Sequence, residues 1–261
     1  MKVYLLGRVD NMLSTTLFHA MAELGYAGLI LCEPKDTYIS LGYFDDAKQI
    51  INFDRCKELG LGIIRRRIGG GTVLLSQGQV FYQLILPKGV VPFRIEDAYR
   101  RLSEPVIRTY RRLGLEVEYK PINDLVVAKN QRKISGQGAG DIGKFFVFVG
   151  NILIRFDIDL MVEVLLLDSQ KKEQVKKSMR ENLSWLEREL NRTFSFEEVA
   201  GLLVEEFAKE LPLSGFSEIP AEALDLAQEL RKEMTSSQSL LEDTGKKHSH
   251  LKIREGVYIK I

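Results

Sequence analysis

The chain has 261 residues and a mass of 29.8 kDa, enough for one large domain or a core domain with a small appendage. Hydrophobic residues make up 45% and charged residues 28%, with 21 Gly and 7 Pro, which excludes disordered, collagenous and coiled-coil classes. The net charge of +1 hides an acidic stretch at 183–243 (14 acids, 5 bases) and a basic end at 244–261 (5 bases, 1 acid), which leaves residues 1–182 net positive.

A basic body favours anionic ligands or acidic partners, although ordinary solvated charge gives the same arithmetic. No apolar run approaches the ~20 residues of a membrane span. The apolar run in MKVYLLGRVDNML is too short for a signal-peptide core and is broken by Arg8 and Asp10. Cys32 and Cys56 cannot frame a secreted disulfide scaffold. A cytoplasmic location is expected.

In chain order, Val3–Leu6, Gly28–Cys32 and Thr37–Leu41 are strand-like runs bounded by Gly, Pro and Asp. Leu13–Leu24 reads as a helix closed by Gly25. Val80–Leu86 (VFYQLIL) is a buried strand ended by Pro87. Glu96–Leu113 is a helix with acids first, arginines last and Gly114 beyond; Pro105 should kink or split it. Phe145–Phe156 reads as two strands joined by a two-residue turn at Gly150-Asn151. Tight hairpins point to a mixed or antiparallel sheet with packed helices, an α+β fold rather than a doubly wound parallel one.

From residue 183 the pattern turns helical. Ser195 and Glu198 make a capping box before Val199, Leu203, Phe207 and Leu211, and Pro220 opens a helix to about Met234. Thr235–His250 reads as a mobile polar linker, and LKIREGVYIKI is strand-like again. His248 and His250 in that linker read as solvated rather than metal-bound.

Two segments carry chemistry. In RRRIGGGTVLLSQG, arginines Arg65, Arg66 and Arg67 precede glycines Gly69, Gly70 and Gly71, then Thr72 and Val73. Glycines let backbone N–H groups converge on an anion, and arginines add forked donors. The run lacks the Lys-Ser/Thr of a Walker A loop, and GQGAG at 136–140 lacks the strand–GxGxxG–helix arrangement of a dinucleotide site. The second segment has Asn123 and Asp124, then Lys133, Ser135 and Gly136. A lysine beside a glycine-lined anion pocket suits phosphoryl or acyl chemistry, and it should add little to core stability. The basic residues form no aromatic-interleaved platform, so no nucleic acid is expected as a partner.

RRR-x-GGG-x-V, NDL-V-V and RK-I-SG together resemble the lipoate–protein ligase family, over roughly residues 1–182. The resemblance implies a biotin/lipoate ligase-like catalytic core, related to class II aminoacyl-tRNA synthetase domains. The helices at 183–243 would extend the same domain, and 244–261 would be linker and tail. It implies activation of lipoate, or a related medium-chain acid, by ATP with Mg2+, then transfer to a lysine of an acceptor lipoyl domain. Arg65–Arg67, Gly69–Gly71, Thr72 and Val73 would line the acyl-adenylate pocket, and Asn123 and Asp124 would sit at its nucleotide end. Lys133 would contact the carboxylate and α-phosphate as the catalytic group, with Ser135 and Gly136 along the acyl group. Where the family's motif continues with His-Asp this chain has Leu75 and Ser76, and Val149 replaces a His that commonly precedes the glycine. The alternatives are octanoyl or lipoyl transfer through a cysteine thioester without ATP, and a non-catalytic lipoyl-domain binding subunit. Neither Cys32 nor Cys56 lies in a recognised catalytic-cysteine motif, and the short tail leaves room for a separate accessory subunit.

Overall fold

The computed structural model describes residues 1–245 and 250–260, with His250 described for its backbone alone. The chain opens with β1 (Lys2–Val9), α1 (Leu13–Leu24) and β2 (Gly28–Pro34), a parallel strand pair joined through a helix. β3 (Tyr38–Leu41), α2 (Ala47–Ile50), α3 (Phe53–Glu58), β4 (Gly62–Arg65) and β5 (Val73–Leu75) follow, the strands making a small three-stranded sheet. β6 (Gln79–Pro87), α4 (Ile95–Arg112), β7 (Val117–Lys120), β8 (Asp124–Val127), β9 (Lys133–Ile142) and β10 (Phe145–Leu153) complete a seven-stranded mixed sheet, ordered β1-β2-β6-β10-β9-β8-β7. Next come helices α5 (Ile158–Glu163), α6 (Ser169–Asn182), α7 (Leu186–Leu190), α8 (Phe196–Ala208), α9 (Ala221–Met234) and α10 (Ser237–Leu240). β11 (His250–Arg254) and β12 (Val257–Lys260) close the chain as a hairpin. The fold is α+β, as the sequence implies.

Strand β6 shows why the sheet has helices on both faces. Its even positions, Val80, Tyr82, Leu84 and Leu86, join one core with α4 and α8, while Phe81 and Ile85 join another with α1 and α9. This is the period-two alternation of a strand, with both faces buried. A third core holds the small sheet, α5, α6 and the terminal hairpin. α1 ends in a left-handed Gly25, and the Ser195 hydroxyl caps α8 by accepting from the Glu198 N–H at 3.1 Å.

Three sequence expectations are corrected. Phe145–Leu153 is one continuous strand, and the two-residue turn lies at Gly143-Lys144, with Ile142 paired to Phe145 and Gly143 at φ +54°. Gly150 is a glycine for another reason: a Cβ there would stand 2.2 Å from the hydroxyl of Tyr82, its cross-strand partner. Pro105 does not split its helix, which runs unbroken from Ile95 to Arg112. The hydrogen bond that Pro105 removes belongs to the carbonyl of exposed Arg101, one turn earlier.

The segment Thr235–Leu241 is packed rather than a linker: α10 lies in it, and Leu240 is buried in the third core. Residues 246–249 of the expected linker, with His248, lie outside the described residues. The strand-like tail pairs with itself and docks Leu251, Ile253 and Ile259 into the third core. No helix of the described residues is long and apolar enough to cross a membrane.

Candidate active site

A cavity of about 170 Å³ opens between the main sheet, the small sheet and the terminal hairpin. Its walls are largely apolar, with Phe18, Leu75, Phe81, Val149 and Leu153 among them, and a few polar groups converge on them. Apolar walls with few placed polar groups are the usual form of a small-molecule site.

The three consecutive arginines go three ways. Arg65 turns inward as a structural clamp: its guanidinium donates to the carbonyls of Gly42, Tyr43, Asp45, Ser239 and Leu240, fastening α10 to the small sheet. Arg67 turns outward to ion pairs with Glu23 of α1 and Glu233 of α9. Only Arg66 reaches the cavity wall. It is buried, which lowers its guanidinium pKa against the opposing pull of Asp45, and it donates to the carbonyls of Ser40, Gly69 and Gly71. The expectation that all three arginines line the pocket is therefore corrected: consecutive residues leaving a strand point in different directions, and two of them find protein partners.

Arg66 thus grips the glycine turn by its carbonyls. Gly70, Gly71, Thr72 and Val73 line the cavity, whereas Gly69 is tied back through its N–H to the Ala139 carbonyl at 3.3 Å. Gly70 and Gly71 line the cavity, and their N–H groups have no acceptor among the described residues. Gly70 sits at φ +101°, and a Cβ on it would stand 2.7 Å from Arg66 Nη2, so both its conformation and its packing exclude a side chain. Thr72 Oγ1 donates to Asp45 at 2.7 Å and anchors the far end of the turn.

The second segment converges on the same cavity. Asn123, Lys133 and Gly136 line it. Lys133 Nζ lies 2.8 Å from Oδ1 of fully buried Asp124, in ion-pair contact but outside hydrogen-bond alignment. Asp124 Oδ2 accepts from the Glu255 N–H at 2.7 Å. Asp124 therefore stands behind the wall and holds Lys133. Ser135 also stands behind it, its hydroxyl bonded to the Asn151 carbonyl at 2.5 Å. A Cβ on Gly136 would stand 3.2 Å from Lys133 Nζ, so a side chain there would displace the ammonium slightly.

Gln83 and two residues of the terminal hairpin are among the cavity residues missed in the sequence. Gln83 is buried, donates from Nε2 to the Ser14 carbonyl, and leaves Oε1 without a hydrogen-bond partner among the described residues. A glutamine inside VFYQLIL was the available signal, since burying an amide in a strand is costly unless something uses it. Lys252 and Ile253 reach the cavity from the terminal hairpin, and nothing in the local sequence marks them.

Neither cysteine lines the cavity. Cys32 is buried in β2, and burial aided by neighbouring Glu33 pushes its thiol up to about 12, which suppresses the nucleophilic thiolate. Cys56 is buried in α3, and burial raises its thiol too. Among the described residues no group of three or more His, Cys, Asp and Glu is placed to hold a metal ion.

Residues 10–208 match the family model of the lipoyl protein ligase A/B catalytic domain. An octanoyltransferase LipM from Carboxydothermus hydrogenoformans is 26% identical over 197 residues, 69% of this chain and 70% of that protein. Lipoate-protein ligase A subunit 1 of Thermoplasma acidophilum is 25% identical over 185 residues, 67% of this chain and 69% of that one. Among solved structures, a bi-partite lipoate protein ligase from Thermoplasma acidophilum, described with its E2 lipoyl domain, superposes with a TM-score of 0.80 at 24% identity, covering 93% of this chain and 96% of that one. A family match across more than half of the chain, on a cavity built from the same glycine and lysine segments, leads to one conclusion: this chain belongs to the lipoyl protein ligase A/B catalytic-domain family.

Proposed function

We propose that this chain is the catalytic part of a lipoate–protein ligase, which activates lipoate or a related medium-chain acid with ATP and passes it to a lysine of a lipoyl domain. One observation carries the choice of chemistry: the cavity holds an oriented ammonium, Lys133, and no thiol. A thioester route needs a reachable thiolate, and both cysteines of this chain are buried away from the cavity.

In the ligase reading the acid's carboxylate oxygen attacks the α-phosphorus of ATP and pyrophosphate leaves. The acceptor lysine's amine then attacks the carbonyl of the mixed anhydride, expelling AMP and losing a proton as the amide forms. The first step brings two anions together, so its barrier falls where positive charge is already in place. Lys133 supplies that charge, and the glycine turn on the same cavity would add its backbone N–H dipoles. The apolar walls take the acyl chain and exclude water from the anhydride. Magnesium would enter with the nucleotide's phosphates and neutralise the departing pyrophosphate.

The likeness to octanoyltransferases favours a second reading, acyl transfer between carrier proteins without ATP. Lipoate-dependent ATP–pyrophosphate exchange separates the two. Exchange by the purified chain, alone or with a candidate accessory subunit, is expected of a ligase. Octanoyl transfer from an acylated carrier in the absence of ATP would sink the ligase reading.

A further inference from the structure

The terminal hairpin does more than cover the third core. Leu251, Ile253 and Ile259 anchor it, and Arg254 Nε donates to Asn182 Oδ1 of α6 at 2.8 Å. That seating carries Lys252 into the cavity wall, where its Nζ donates to Asn123 Oδ1 at 2.6 Å and pairs with Glu255. Glu255 also accepts from the Tyr258 hydroxyl at 2.9 Å, and its own N–H donates to Asp124. Adjacent residues Asn123 and Asp124 thus each contact one lysine, Lys252 and Lys133 respectively.

A nucleotide entering this cavity brings several negative charges, and the cations on the wall are not equally available to it. Arg66 commits its fork to the carbonyls of Ser40, Gly69 and Gly71, which hold the glycine turn in shape. Lys133 is matched to fully buried Asp124, which holds its ammonium in place. Lys252 is different. Its side chain is 25% exposed and its ionic partner Glu255 lies in the turn of the same hairpin, outside the buried core, so the ammonium can change partners without unmaking the core. Burial works against the Glu255 charge, but Lys252, the Ile122 backbone and Tyr258 together hold its carboxyl below the usual range, so an anion waits with Lys252 when no phosphate is bound.

We propose that Lys252 is a second substrate-contacting cation of this site, delivered by the C-terminal hairpin to the phosphates of the nucleotide, with Glu255 as the carboxylate it leaves on binding. The inference rests on the ligase reading above and adds to it the residue that meets the phosphates. It also gives the hairpin a role in nucleotide affinity, separate from acyl-chain binding.

Calorimetric titration of the full chain with magnesium-ATP, and separately with lipoate, tests it. Lys252→Met is expected to weaken ATP at least about tenfold, the size of a lost hydrogen bond to a charged group, and to leave lipoate affinity unchanged. Glu255→Gln is expected to tighten ATP several-fold, because it removes the competing carboxylate. A hairpin that only clasps the domain predicts the opposite for Glu255→Gln, since loosening the clasp weakens binding. ATP affinity unchanged in Lys252→Met, or weakened alike in both variants, overturns the assignment while parental ATP binding leaves the ligase reading intact. A parental chain that binds no ATP overturns both.

Discussion

The imidazole of His19, inside α1, accepts a hydrogen bond at 3.0 Å from the backbone N–H of Arg67, two residues before the glycine turn. Its other nitrogen, Nδ1, meets the Thr15 carbonyl at 2.8 Å, so the ring is neutral with its proton on Nδ1. Burial, and then the charges of Arg67 and Arg66 against the helping Thr15 carbonyl, lower its pKa from 6.5 to about 3.

That geometry fixes a sign for pH. Below about 6.5 the unfolded histidine takes a proton that the folded one refuses, so stability is full above this pH and declines as pH falls toward 3. The slope approaches about 1.4 kcal/mol per pH unit at most. Glu206, buried between α4 and α8, also loses stability in acid but later. Burial opposes its charge, yet Lys209, Arg108 and Arg112 hold it at about 2, so its share is lost below the ordinary 4.5. Urea midpoints of the parent and His19→Gln at pH 7 and pH 5 check this: the parent is expected to weaken between them and the variant to change far less.

Lys133→Ala is expected to slow adenylate formation by at least about two orders of magnitude, as removal of one preplaced charge donor does. Here the structure changes an expectation about stability. Losing Lys133 leaves Asp124 buried without its ammonium, so the variant should also lose about 1–3 kcal/mol. Lys133→Met with Asp124→Asn should recover that stability without recovering rate. Single-turnover kinetics beside thermal melts read the two effects apart, and near-normal adenylation by Lys133→Ala would remove Lys133 from the chemistry.

Gly70→Ala should abolish binding of a non-hydrolysable lipoyl-adenylate analogue. An alanine at φ +101° is strained, and its Cβ would push Arg66 off the carbonyls that shape the turn. The neighbouring Gly71→Ala, whose Cβ would meet nothing within 4 Å, should bind at closer to parental affinity. Equal affinities for the two variants would argue against a shaped turn at this wall.

The double variant Cys32→Ser, Cys56→Ser should keep its turnover per folded molecule, because neither thiol lines the cavity. It should melt earlier, since each buried hydroxyl costs about 1–3 kcal/mol where it finds no partner. Lost turnover at a temperature where the variant is folded, or an acyl thioester in the parent's intact mass, would favour transfer chemistry.

Elements whose cause is local could be read from the residues alone. α1 stops where Gly25 takes a left-handed backbone, α8 starts where Ser195 caps Glu198, and β6 alternates between two cores because side chains on a strand alternate. The glycine turn and the Lys133 segment stood out separately, and only the resemblance to a ligase family joined them before the structure brought Gly70, Gly71 and Lys133 to one cavity. What remained was decided by groups distant in the chain. Gly143 and Gly150 both satisfy the local rule for a turn, and only the Tyr82 ring across the sheet shows that Gly150 is there for clearance. Three adjacent arginines look equivalent until Ser239 and Leu240 claim Arg65, Glu23 and Glu233 claim Arg67, and Arg66 is left for the cavity. Lys252 lies 129 residues from Asn123, and no local pattern encodes their contact; the hydrophobic seating of a hairpin on α6 brings them together. Local sequence specifies backbone conformation through short-range sterics and hydrogen bonds, whereas the partner of a long polar side chain is settled only when burial has brought the elements into contact.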